Sequence, residues 1–166
     1  MKLTRKQSEF LKKAVAVVLA FAAIVGGVSI VTNLAGDEDG YKTVYPGYTV
    51  GGIDKTTGKV DNDEECGLYT KDIIECTGIK LSADFDSDIK YAVHLYDEND
   101  QWIRCVENEG LNLTLEELDA EETAVHGVRI VIYPQSDENE KISLFEKGTY
   151  ANQLTVKITT KATKTN

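Results

Sequence analysis

The most regular feature of this chain is a two-residue hydrophobic repeat in its second half. Ile79, Leu81, Ala83 and Phe85 alternate with Lys80, Ser82 and Asp84. Tyr91, Val93 and Leu95 alternate with Ala92, His94 and Tyr96, and Val128, Ile130 and Ile132 with Arg129, Val131 and Tyr133. The Leu111, Leu113, Leu115 and Leu154, Val156, Ile158 sets repeat the pattern. Side chains alternate between the two faces of a strand, so each run predicts a strand with one buried face. The turn cluster Asp97-Glu98-Asn99-Asp100 precedes Trp102–Glu107 and predicts a hairpin.

Upstream, Tyr41–Val50 is strand-like but broken by the turn pair Pro46-Gly47. Residues 51–65 are rich in Gly, Asp, Asn and Lys and predict a loop or loose hairpin. Leu68–Thr77 predicts a strand around Ile73, Ile74 and Cys76. Thr114 and Glu117 have capping-box spacing, so one helical turn competes with strand in Leu115–Thr123. A polar loop follows over 135–141, with a weakly pairing stretch over 142–150. About seven to nine short, one-faced strands predict an all-β fold, an antiparallel β-sandwich. No amphipathic helix alternates with them, which argues against a parallel α/β sheet.

The first part of the chain breaks this pattern. Ala14–Gly36 holds twenty-three residues and no charge. As a helix it spans roughly 34 Å, enough for a hydrocarbon core of about 30 Å. It is longer than the ~7–15 residues of a signal-peptide core, so an uncleaved transmembrane helix is the favoured reading. Lys2, Arg5, Lys6, Lys12 and Lys13 against Glu9 give residues 1–13 a net charge of +4. The whole chain carries −10, which leaves −14 on residues 37–166. The basic arm therefore belongs in the cytoplasm and the acidic part outside the cell membrane. The expected organisation is an arm at 1–13, a membrane helix at 14–36, a lead-in at 37–67, a sandwich core at 68–158 and a solvated tail at 159–166. Ala22/Gly26 and Ala23/Gly27 are small pairs four residues apart, which would let two such helices approach as a homodimer. The lipid bilayer is one expected partner, and acidity disfavours nucleic acid.

The runs IKYAVHLYDENDQWIRCVE, HGVRIVIYP and YANQLTVKI together resemble the jelly-roll modules of the galactose-binding-like, carbohydrate-binding class. Those modules show an aromatic-flanked strand ending in a Tyr-Asp turn, then a strand with a central Arg before a Pro. The anchored arrangement is similar to small bacterial surface proteins. The resemblance implies a jelly-roll sandwich and glycan binding, and no binding residue carries over from it.

Candidate chemistry is sparse. Trp102, Tyr96 and Tyr133 are the candidates for stacking on a sugar ring, against the alternative that they pack in the core. Asp84, Asp86 and Asp88 have a spacing that can present oxygens to Ca2+, and Asp97 and Asp100 lie in a second acidic turn. The helix–loop–helix calcium signature is absent, because Ile89 and Leu95 stand where Gly and Glu are needed. A structural Ca2+ would have to draw on several loops, and no other cofactor is expected. Cys66, Cys76 and Cys105 are an odd number. A Cys66–Cys76 or Cys76–Cys105 bridge is open, though buried free thiols are favoured. His94, Cys105 and Arg129 occur in the chain order of membrane-anchored transpeptidases of the sortase kind, but Gln101-Trp102-Ile103-Arg104 replaces the expected Thr-Leu-x-Thr before the cysteine. With no nucleophile elbow and no phosphate loop, a non-catalytic binding module for a glycan or surface protein is the leading expectation. A structural envelope component is the alternative, and a hydrolase or transpeptidase the remote one.

Overall fold

The computed structural model describes residues 30–31, 40–62, 67–108, 110–118, 124–135 and 147–160. In chain order the strands are β1 (Ile30–Val31), β2 (Lys42–Tyr45), β3 (Tyr48–Val50), β4 (Gly52–Ile53), β5 (Val60–Asp61), β6 (Leu68–Thr70) and β7 (Ile74–Glu75). Then come β8 (Gly78–Ala83), β9 (Ile89–Tyr96), β10 (Trp102–Asn108), β11 (Asn112–Leu115) and β12 (Gly127–Pro134). The short helix α1 (Lys147–Asn152) precedes β13 (Leu154–Thr159). One sheet has the order β1-β2-β13-β8-β11; the other runs β10-β9-β12-β6-β3, with β7 also on β12. The pairings are antiparallel, and β4 and β5 form a separate hairpin.

The alternation puts one face of each sheet into a shared core. Ile79, Leu81, Leu154, Val156 and Ile158 of the first sheet join Tyr91, Val93, Leu95, Val128, Ile130 and Ile132 of the second. These are β-branched, leucine and tyrosine side chains, which suit a pleated, buried surface. Leu118 adds to this core and is 1 % exposed.

Four details differ from the sequence expectation. The lead-in belongs to the sandwich: β2 pairs with β13 and β3 with β6, and Val44 and Tyr48 are buried in the core. Pro46-Gly47 interrupts the pattern because the chain crosses there from one sheet to the other. Phe85 continues the alternation on paper, yet β8 ends at Ala83 and Phe85 is 93 % exposed in the turn. The end of the stretch expected to pair weakly, 147–150, is helical instead; α1 packs on β3, β12 and β13 and buries Ala151.

The fourth concerns the apolar segment. Ile30 and Val31 are extended and pair with Tyr45 and Val44. A helix running unbroken to Gly36 is not what these two β-branched residues adopt; they add to the open edge of β2. The rest of the expected membrane helix, residues 14–29 and 32–36, lies outside the described residues, as do the basic arm, the small-residue pairs at 22–27 and Cys66. Among the described residues no helix is long and apolar enough to cross a membrane.

Candidate functional site

The outer face of the β10-β9-β12-β6-β3 sheet carries the densest chemistry. Cys105 on β10 stands opposite His94 on β9, which stands opposite Arg129 on β12. The neighbouring row runs Glu107, Ala92, Val131, Tyr69. Trp102 joins this face through a local irregularity. In a regular strand Trp102 and Cys105, three residues apart, would point to opposite sides. The register shifts between Trp102 and Arg104, so Trp102 pairs with Tyr96 and Cys105 with His94. The extra residue turns both side chains to one face.

The β4–β5 hairpin lies over this face. Ile53, 1 % exposed, packs with Tyr69, Val131 and Tyr133. Lys55 Nζ reaches Glu107 Oε2 at 2.9 Å and sits 5.5 Å from the Tyr133 ring centre. The Tyr69 hydroxyl donates to Asn62 Oδ1 at 2.7 Å. Asp54 shapes the hairpin tip: its Oδ1 accepts from the amides and hydroxyls of Thr56 and Thr57. The Thr56 and Thr57 hydroxyls, then their amides, hold the Asp54 carboxyl well below the usual carboxylate range. The cover explains why Ala92, His94 and Tyr96 are as buried as the core-facing residues of β9.

His94 is fully buried. Its Nδ1 accepts the Trp102 indole N–H at 3.1 Å, and its Nε2 lies 3.7 Å from Cys105 Sγ. Burial, then the charge of Lys55, pushes the imidazole down to about 4. Burial, then the Glu107 carboxylate, pushes the Cys105 thiol up to about 11. At neutral pH the pair is therefore a neutral imidazole beside a neutral thiol. A thiolate–imidazolium pair needs the opposite order of acidities. The Arg129 guanidinium lies 5.7 Å from the Tyr96 ring centre. Arg129 Nε and the Tyr96 hydroxyl are buried with no hydrogen-bond partner among the described residues.

The three aromatic candidates fall on this same outer face. Tyr96 is buried, while Trp102 and Tyr133 are half-buried beside the hairpin. The Trp102 and Tyr133 rings pack the cover onto the sheet. The acidic candidates divide between two turns. Asp84, Asp86 and Asp88 precede or begin the turn into β9, and Asp97 and Asp100 follow β9. An eight-residue strand separates them by roughly 25 Å, too far for one ion. Asp97 Oδ1 accepts the amides of Asn99 and Gln101, which closes its own turn. Among the described residues no three His, Cys, Asp or Glu side chains come close enough to hold a metal ion.

Cys76 and Cys105 are free thiols. Cys76 lines a small cleft of about 190 Å3 with Glu75, Thr77, Val125, His126 and Thr160. Burial pushes the Cys76 thiol up to about 12. The cleft is below the ~300 Å3 usual for small-molecule sites. The loose hairpin expected over 51–65 is present as β4–β5, but its composition does not say what it lies on, and nothing around Ile103 marks an extra residue. No family model, curated protein or solved structure matches the chain.

Proposed function

We propose that the chain is a membrane-tethered interaction module displayed outside the cell, without catalytic activity, that docks a surface protein through the β8–β9 turn. The observation that carries this reading is Phe85. It is 93 % exposed at the tip of an acidic turn containing Asp84, Asp86 and Asp88. Its ring contributes nothing to the core, so the fold gives it no role. An exposed aromatic in an acidic turn suits a protein partner with an apolar pocket and a basic rim. The jelly-roll resemblance adds glycan as the other ligand class, with Phe85 as the large aromatic most free to stack among the described residues.

The tether would be drawn from the uncharged 14–36 segment, of which Ile30 and Val31 pair with β2. A photoreactive phenylalanine at position 85 in the full chain on cells tests the docking reading. Crosslinks to a protein that disappear in Phe85→Ser support it. Binding on a glycan array with no protein crosslink would replace it with the glycan reading. Failure of both would remove the module reading.

A second reading, cysteine-dependent acyl transfer, has one observation behind it: His94, Cys105 and Arg129 share one row. It predicts an activity lost in Cys105→Ala. The neutral, half-buried thiol weighs against it.

A further inference from the structure

The hydrogen positions around His94 follow from chemistry. An indole N–H can only donate. His94 Nδ1, 3.1 Å from Trp102 Nε1, is therefore bare. A neutral imidazole carries one N–H, so it is on Nε2, facing Cys105 Sγ at 3.7 Å. In this state His94 cannot take the thiol proton, because the nitrogen that faces the sulfur already holds one. Nor can Nε2 and Sγ share a metal ion, since freeing Nε2 would set an Nδ1–H against the indole N–H.

Trp102 is held in turn by the hairpin. Gly58 has φ +69° and lies so close that a Cβ there would fall 2.1 Å from Trp102 Cγ. Only a glycine lets the hairpin backbone rest on the indole. The hairpin's ionic tie to the sheet, Lys55 to Glu107, is exposed, and such pairs contribute little.

We infer that the β4–β5 hairpin keeps Cys105 silent through Trp102 and His94, and that displacing it makes Cys105 a thiol site for soft electrophiles. With the indole withdrawn, the imidazole proton moves to Nδ1 and Nε2 is free to accept. A haloacetamide then reacts in balance: the Sγ–carbon bond forms, the carbon–halogen bond breaks and halide leaves with its electron pair. The thiol proton passes to Nε2 and on to solvent. Phe85 takes no part, so this inference and the docking reading fail independently.

The test uses the full chain in detergent micelles. Nitrogen-15 spectra of the wild-type protein at neutral pH should show His94 protonated on Nε2 and bare on Nδ1; a proton on Nδ1 overturns the inference. Iodoacetamide labelling of Cys105, read by peptide mass, should rise about tenfold in Trp102→Phe, the equivalent of one lost hydrogen bond. Gly58→Ala keeps the indole but pushes the hairpin off it, and should raise labelling by a similar factor. Unchanged labelling in folded forms of both variants overturns the inference. If neither variant folds, the wild-type tautomer decides it.

Discussion

Thr70 Oγ1 accepts the amide proton of Ile130 at 3.1 Å, across two strands that are otherwise paired backbone to backbone. Both residues are fully buried. The hydroxyl stands in for a carbonyl where the pairing of β12 passes from β6 to β7. Thr70→Val keeps the shape and strands the amide. It should cost about 1–3 kcal/mol, read as a lower denaturant midpoint at constant slope. A midpoint within error of wild type would mean that water replaces the hydroxyl.

His94 makes stability depend on pH. Its folded pKa, about 4, lies below the ordinary imidazole value of 6.5. Between those values the unfolded chain binds a proton that the folded chain refuses, so stability falls as pH falls through this window. At pH 7 both states are neutral and the group contributes nothing. The loss by pH 4.5 should be about 2 kcal/mol, and His94→Gln should remove that part of the slope. Parallel pH curves for the two proteins would show that the imidazole is not shielded.

Gly51 has φ +140°, and a Cβ there would lie 2.8 Å from both the Asp61 carbonyl and the Tyr69 ring. Two independent penalties, backbone strain and a clash with backbone oxygen, meet at one position. Gly51→Ala should lower stability by about 1–3 kcal/mol in thermal or urea unfolding. An unchanged midpoint would mean that the hairpin shifts freely at its base.

Phe85 and Ile130 should separate docking from folding. Phe85→Ser removes a 93 % exposed ring and should change stability by less than about 0.5 kcal/mol. Ile130→Ala, at the centre of β12, should cost about 2–5 kcal/mol. Equal losses in the two variants would mean that Phe85 packs internally.

The sandwich was legible because its strands have a strict period of two and its core is apolar. Val128, Ile130 and Ile132 announce a buried face, as do Leu154, Val156 and Ile158. The pattern misled at Phe85, where an apolar residue happens to keep the period after the strand has ended. It was silent at Tyr96 and His94, which sit at polar-face positions of β9 and are buried by a hairpin more than thirty residues upstream. Periodicity reports one sheet at a time and cannot say what lies across it. His94, Cys105 and Arg129 were noticeable from their order, but the shared row depends on strand register, which no local signal encodes.

The pairing of β2 with β13 has a consequence for how the protein is made. Val44 lies against Val156, so β2 waits for a strand more than a hundred residues further along the chain. Until Leu154–Thr159 emerges, the β2 and β8 edges that it joins stay open. Contacts this distant along the chain form slowly. Removing Leu154–Thr159 would part β2 from β8 and open both edges at once, so a cut before Leu154 should be as damaging as a mutation in the core.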